Sequence, residues 1–196
     1  MDIYLSSPVE AALDEVLERA PGTKLNVLLT IANMPSDLDA YFSRYGSIIN
    51  QVALDCGKFS DNNSKLNITT QQLAAKHAIH LKYNRERYKL AFSFDESFEP
   101  DGFEINQVHI ERLESLGIEN ITPVVHNLRN FEVNAFIRKG HTSVAIGRQQ
   151  GKTNPKLLFP RVFQLIAYDV DVHLFGITEF PLLVGCPATS CDSKSW

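Results

Sequence analysis

Leu25-Asn26-Val27-Leu28-Leu29-Thr30 and Ile121-Thr122-Pro123-Val124-Val125-His126 are short, nearly continuous apolar runs in which polar residues do not alternate with apolar ones. A strand with one wet face alternates, whereas a strand covered on both faces, as in a parallel sheet flanked by helices, has no need to. A short run alone also fits a buried helix, so the assignment depends on its surroundings. Similar runs recur at even intervals, and strands are expected at Ile3–Ser6, Lys24–Thr30, Gln51–Cys56, Tyr88–Asp95, Asn120–His126, Thr142–Gly147, Val170–Phe175 and Ala188–Ser193.

The segments between them carry helical spacing. Pro8–Arg19 places Val9, Ala12, Leu13, Val16 and Leu17 on one side, with Ser7 as a cap and proline in the first turn. Asp37–Tyr45 follows Ser36 as its expected cap, and Thr70–Lys82 carries Leu73, Ala74, His77 and Leu81 on one stripe. Asn106–Leu116 stops at Gly117, and Arg129–Arg138 stops before Gly140. Pro155–Tyr168 contains Pro160, a point for a kink, and Thr178–Gly185 is short.

Strand and helix in alternation imply parallel pairing. Eight strands, nearly all followed by a helix, predict a single α/β domain over residues 1–196, a (β/α)8 TIM-type barrel. At about 24 residues per unit it is compact beside the ~250 residues usual for such barrels. The last helix is missing, since Trp196 follows the eighth strand directly; a fragment, one half of a split protein or an unusually minimal barrel would account for that, and a homo-oligomer or a complementing subunit is the expected protein partner.

Hydrophobic residues make up 44% and charged residues 21% of the 196, the balance of a globular domain. No apolar run approaches the ~20 residues of a membrane helix, and Met1-Asp2-Ile3-Tyr4 lacks the basic and apolar regions of a secretory leader. Cys56, Cys186 and Cys191 form no even framework and no CxxC pair, so a reducing, cytoplasmic setting is expected and a zinc or iron–sulfur centre is not. The net charge of −4 argues against indiscriminate binding to nucleic acid. Yet Arg129, Arg138, Lys139, Arg148, Lys152, Lys156 and Arg161 face only Glu132 as an acid, leaving that stretch at +6 and the rest at −10. They are either solvated charges on surface helices and a loop or a track for phosphates.

Chemistry in such barrels sits where the strands end. There the chain places Asp55, Asp95, His126, Gly147 with Arg148, His173 and Asp192. One aspartate after a strand commonly caps the next helix, and each histidine has an ordinary role as a hydrogen-bonded residue lining the barrel top. Gly147 either makes a turn or lets backbone approach a planar ligand. Three carboxylates on separate strands facing one mouth suit acid–base work or attack at an anomeric carbon.

In order, these strand ends resemble the tRNA-guanine transglycosylase superfamily, above all its branch that inserts 7-deazaguanine bases into DNA in bacteria and phages. The resemblance lies in Leu54-Asp55-Cys56-Gly57-Lys58-Phe59-Ser60, Phe94-Asp95-Glu96, His173-Leu174-Phe175-Gly176 and Cys191-Asp192-Ser193-Lys194-Ser195-Trp196. It implies a pentosyltransferase without cofactor or metal, in a bacterial or phage-infected cell, whose partners are nucleic acid and a free purine or 7-deazaguanine base. Asp192 would attack C1′ of the target nucleotide and Asp55 would move a proton to or from the base. Asp95 would bind the purine edge, as would the Gly147 backbone and His126, which stands where the tRNA enzymes have glutamine. Phe59 and His173 belong to the matched segments and would line the base pocket, and Arg148 would begin a phosphate-contacting rim. A target base must leave its stack to be reached.

Cys56 departs from the family's serine and Lys58 from a small residue. The cysteine-rich zinc segment that follows the barrel in the tRNA enzymes is absent, which favours DNA over tRNA as acceptor. Other readings of the same residues are a metal-dependent hydrolase using His126, His173, Asp192 and Asp55, a non-catalytic nucleic-acid-binding subunit, and a barrel with an unrelated small substrate.

Overall fold

The structure, a computed structural model, describes residues 1–58, 68–99, 101–147, 154–176 and 180–193. Among them are eight strands: β1 (Asp2–Ser6), β2 (Leu25–Thr30), β3 (Ile49–Asp55), β4 (Leu90–Ala91), β5 (Val124–Val125), β6 (Ser143–Ile146), β7 (Asp171–Leu174) and β8 (Ser190–Ser193). Seven α-helices alternate with them: α1 (Glu10–Arg19), α2 (Leu38–Tyr45), α3 (Thr70–Asn84), α4 (Phe103–Ser115), α5 (Glu132–Arg138), α6 (Pro155–Ile166) and α7 (Phe180–Gly185). The strands form one curled, all-parallel sheet in the order β4-β3-β2-β1-β8-β7-β6-β5.

No ladder joins the two ends of this order among the described residues. An isolated parallel bridge between Phe92 and Thr122 spans the gap, with Thr122 N–H donating to Ala91 O (2.8 Å) and Ser93 N–H to Thr122 O (2.9 Å). The expected strands Tyr88–Asp95 and Asn120–His126 therefore shrink to two paired residues each. Pro123 explains part of this: its carbonyl accepts from Ala145 N–H (2.8 Å), but it has no N–H to return, so the ladder with β6 opens only at Val124.

Continuous burial along the strands has a simple geometric cause. Val27, Leu29, Val52 and Leu54 pack with Leu13 of α1, Tyr41 and Tyr45 of α2 and Leu81 of α3. The residues between them, Leu28 and Ala53, pack with Tyr4, Phe92, Val124 and Ala145 on the inner side of the curl. A third cluster joins β6, β7 and β8 to α5 and α6 through Val144, Val172, Cys191, Phe136, Leu158 and Val162. Both faces of β2, β6, β7 and β8 and of the end of β3 are thus covered, and alternation has nothing to report there, whereas in β1 only Tyr4 is buried and Ile3 is exposed.

Several boundaries moved for local reasons. Ser7 does not cap α1; it adopts φ 46°, and the N-cap is Val9, without a side-chain bond and 68% exposed. Of the expected α1 stripe only Leu13 is fully buried. Asp37, not Ser36, caps α2 by accepting from Ala40 N–H (2.9 Å). Thr69 and Gln72 form a reciprocal capping box at the start of α3, where Leu73, Ala74, His77 and Leu81 are buried as expected. α4 begins at Phe103 and closes at Gly117 (φ 75°), with Gly117 N–H bonded to Glu114 O and Ile118 N–H to Leu113 O. That is the Schellman pattern the glycine signalled. α6 runs through Pro160 and ends two residues short of Tyr168, and α7 starts at Phe180. Among the described residues no helix is long and apolar enough to cross a membrane.

α6 offers a direct test of this packing. Leu165 is fully buried whereas Phe163, two residues away, is 55% exposed. Leu165→Ala is expected to destabilise the protein by about 2–5 kcal/mol in urea unfolding, and Phe163→Ala to change it by no more than about 0.5 kcal/mol.

Candidate active site

The parallel sheet sends every strand's C-terminal end to the same side, and the expected acidic residues meet there. Asp55 closes β3 opposite Thr30 of β2, and Asp192 lies on β8 opposite Tyr4 of β1. Asp95 follows β4, His126 follows β5, Gly147 follows β6 and His173 lies on β7. Phe59 and Arg148 lie outside the described residues.

Asp192 is 8% exposed and sits in a cradle of donors. Ser6 Oγ donates to its Oδ2, Gly176 N–H donates to Oδ1 at 3.0 Å, and His173 Nε2 stands 3.4 Å from the same Oδ1. Burial alone would favour the neutral acid, but His173, Ser6 and Gly176 together hold the carboxyl below its usual range. Asp55 is in the opposite condition. Burial and the nearby Asp95 push its carboxyl up to about 7, with Asp192 adding to the effect and the N–H of Gly57 (3.1 Å to Oδ2) opposing it. Asp95, 5% exposed, accepts from Ser93 Oγ at 3.0 Å through Oδ1, while its Oδ2 lies 3.1 Å from His126 Nε2. Burial disfavours a charged His126, but Asp95, and Glu132 after it, outweigh burial and raise its pKa.

Gly147 has a reason its sequence position did not reveal. A Cβ there would lie 3.0 Å from His126 Nδ1 and 3.2 Å from Val124 Cγ1, so the glycine makes room for the imidazole that faces Asp95. Gly57 (φ 81°) is needed too, because a Cβ would lie 2.8 Å from both Cβ and N of Ala32.

Ser6, Ser93, Gly176 and Glu132 were not singled out from the sequence. Glu132, 1% exposed, accepts His126 N–H (2.7 Å), Asn127 N–H (3.3 Å) and Asn130 Nδ2 (2.8 Å), fixing the turn that carries His126. Its signal was present as the lone acid in a basic stretch. Three of the described cations of that stretch are placed differently. Arg161 donates to Leu128 O and Asn130 O, so it braces the same turn. Arg138 and Lys139 end α5, and because the helices run back against the strands, that end lies away from the aspartates. Arg148 and Lys152 lie outside the described residues. Among the described residues no group of three or more His, Cys, Asp or Glu is arranged to hold a metal ion.

No family model matches the chain, and no curated protein matches it. It is similar to a solved structure described as a cube-shaped, highly porous protein cage designed by fusing symmetric oligomeric domains. That likeness has 15% identity and a TM-score of 0.49 and covers 98% of this chain; the chain spans about three fifths (62%) of the length of the other.

Two measurements follow from the geometry. The unfolded chain releases the Asp55 proton near pH 4, whereas the folded protein keeps it to about 7, so this residue makes stability fall as pH rises across that window and then level off. Asp55→Asn is expected to flatten that part of the profile and to be more stable than the wild type above pH 7 by on the order of 1–3 kcal/mol, read by denaturant unfolding from pH 4 to 8. Glu132→Ala leaves three donors without their acceptor and is expected to lower stability by about 2–3 kcal/mol in the same assay.

Proposed function

We propose that the curled sheet closes as a (β/α)8 barrel and that its acidic end is a base-exchange site of the tRNA-guanine transglycosylase type. The Phe92–Thr122 bridge supports closure, since it connects the two ends of an otherwise continuous eight-strand order. The reaction so proposed replaces guanine in nucleic acid by a 7-deazaguanine derivative, with DNA favoured over tRNA as acceptor.

The observation that carries this reading is the contrast between two carboxyl groups in one site. Asp192 is held in its charged form by the Ser6 hydroxyl, the Gly176 N–H and the adjacent His173, as a nucleophile requires, while Asp55 has its proton affinity moved close to neutrality, as an acid–base group requires. Environments that drive two carboxyls apart in this way assign them different jobs. In the proposed sequence an Asp192 oxygen bonds to C1′ of a flipped nucleotide, and the bond from C1′ to the base nitrogen breaks with its electron pair going to the base. Asp55 delivers a proton to the departing base. It then takes one from the incoming base, whose nitrogen attacks C1′ and releases the Asp192 carboxylate. Asp95 and His126 lie beside these groups and offer an acceptor and a donor to a purine edge, and Ser93 keeps Asp95 in place.

The test is incorporation of labelled guanine, or of a labelled 7-deazaguanine, into DNA and into tRNA. Incorporation into DNA is expected, with Asp192→Asn reducing it by at least about 10³-fold and Asp55→Asn by about 10²-fold. Exchange that survives Asp192→Asn unchanged refutes the nucleophile, and no incorporation into either polymer refutes the reaction.

A further inference from the structure

The family resemblance implies that His173 lines the base pocket, but its surroundings point elsewhere. The side chain is 2% exposed, so almost none of it reaches the opening. Three rings enclose it, with centroids at 4.7 Å (Phe92), 4.9 Å (Phe175) and 5.9 Å (Tyr4). Nδ1 meets Ser190 Oγ at 2.9 Å in a fully buried contact. Among the described residues Nε2 makes no aligned hydrogen bond, and Asp192 Oδ1 stands 3.4 Å from it. If the serine hydroxyl donates to Nδ1, the ring proton must sit on Nε2, which is the nitrogen facing the aspartate.

We propose that His173 is a positioning residue for Asp192, held from behind by Ser190 and the aromatic cage, which keeps the Asp192 carboxylate charged and fixed in orientation without touching the base. Its catalytic meaning rests on the nucleophile assignment above. The arrangement accounts for the difference between two aspartates that both sit in this partly closed site. Among the described residues Asp55 has backbone N–H partners and a neighbouring carboxylate, whereas Asp192 has an imidazole as well as a hydroxyl and a backbone N–H. Among the described residues, the other titratable groups near the pair are Tyr4 from β1 and Asp55 from β3, while Cys191, next to Asp192 in sequence, packs into the outer cluster.

The experiment is a carbon-13 titration of aspartate carboxyl carbons in the whole chain, with the Asp192 signal assigned by its loss in Asp192→Asn. In His173→Phe the Asp192 midpoint is expected to rise by about one unit or more, whereas in His173→Gln, whose amide can still donate, it stays within about half a unit of wild type. Circular dichroism establishes that each variant is folded. An unmoved midpoint in folded His173→Phe overturns the proposal, as does a His173→Gln midpoint that moves as far as the phenylalanine variant's. Should His173→Phe not fold, Ser190→Ala replaces it: freeing Nδ1 is expected to raise the midpoint in the same direction, and no change overturns the proposal. The acidic limb of kcat/KM for labelled-base exchange should move upward with the carboxyl midpoint. A shifted midpoint in a protein that performs no exchange refutes the transglycosylase reading and leaves the positioning role standing; exchange that needs Asp192 but ignores the loss of His173 refutes the positioning role alone.

Discussion

Val27 and Leu29 pack outward against helices while Leu28 between them packs inward against Tyr4, Ala53 and Phe92, and the same two-sided burial recurs around the sheet. A strand in that position can carry polar side chains only near its ends, because a buried polar group without partners is costly. Parallel connection then brings all the C-terminal ends to one side. Clustering of Asp55, Asp95, His126 and Asp192 is therefore a consequence of the sheet. Eight separate decisions about burial and direction produce one concentrated polar site.

Concentrating carboxylates in one place creates an electrostatic problem, and the site resolves it unevenly. Mutual repulsion and burial both favour the neutral acid. Asp192 escapes through Ser6 of β1, the adjacent His173 of β7 and the Gly176 N–H of the turn after β7; Asp55, whose partners among the described residues are backbone N–H groups, holds its proton to about neutral pH. Differences in proton affinity thus follow from which strand neighbours each aspartate has. Ser6 is instructive here. It ends β1 as an ordinary small polar residue, and its part appears only when β1 pairs with β8, 186 positions away in sequence.

The turn after β5 shows how supporting structure is built around such a site. Glu132 accepts the N–H groups that would otherwise be left open beyond Val125, and Arg161 reaches from α6 to the carbonyls of the same segment. Gly147, on the next strand end, leaves space for the His126 ring. Glu132 and Arg161 thus use their charge to hold backbone in place, while Arg138 and Lys139 stand at the far end of α5, so residues close in sequence are dealt to opposite ends of a strand–helix unit.

Eight parallel strands, their alternation with helices, the stops at Gly117 and Gly140 and the gathering of three aspartates were legible in the amino-acid sequence, because period, turn chemistry and strand direction are local properties that repeat along the chain. The shortening of β4 and β5 was only partly legible: Pro123 announces a missing donor, but not which neighbour needed it. Tertiary structure alone decided which aspartate is charged and which keeps its proton. Those outcomes depend on Ser6, His173 and Gly176 reaching Asp192, and on Asp95 and Asp192 standing near Asp55, each from another strand or turn, and proton affinity is set by what surrounds a group in space, not by what precedes it in the chain.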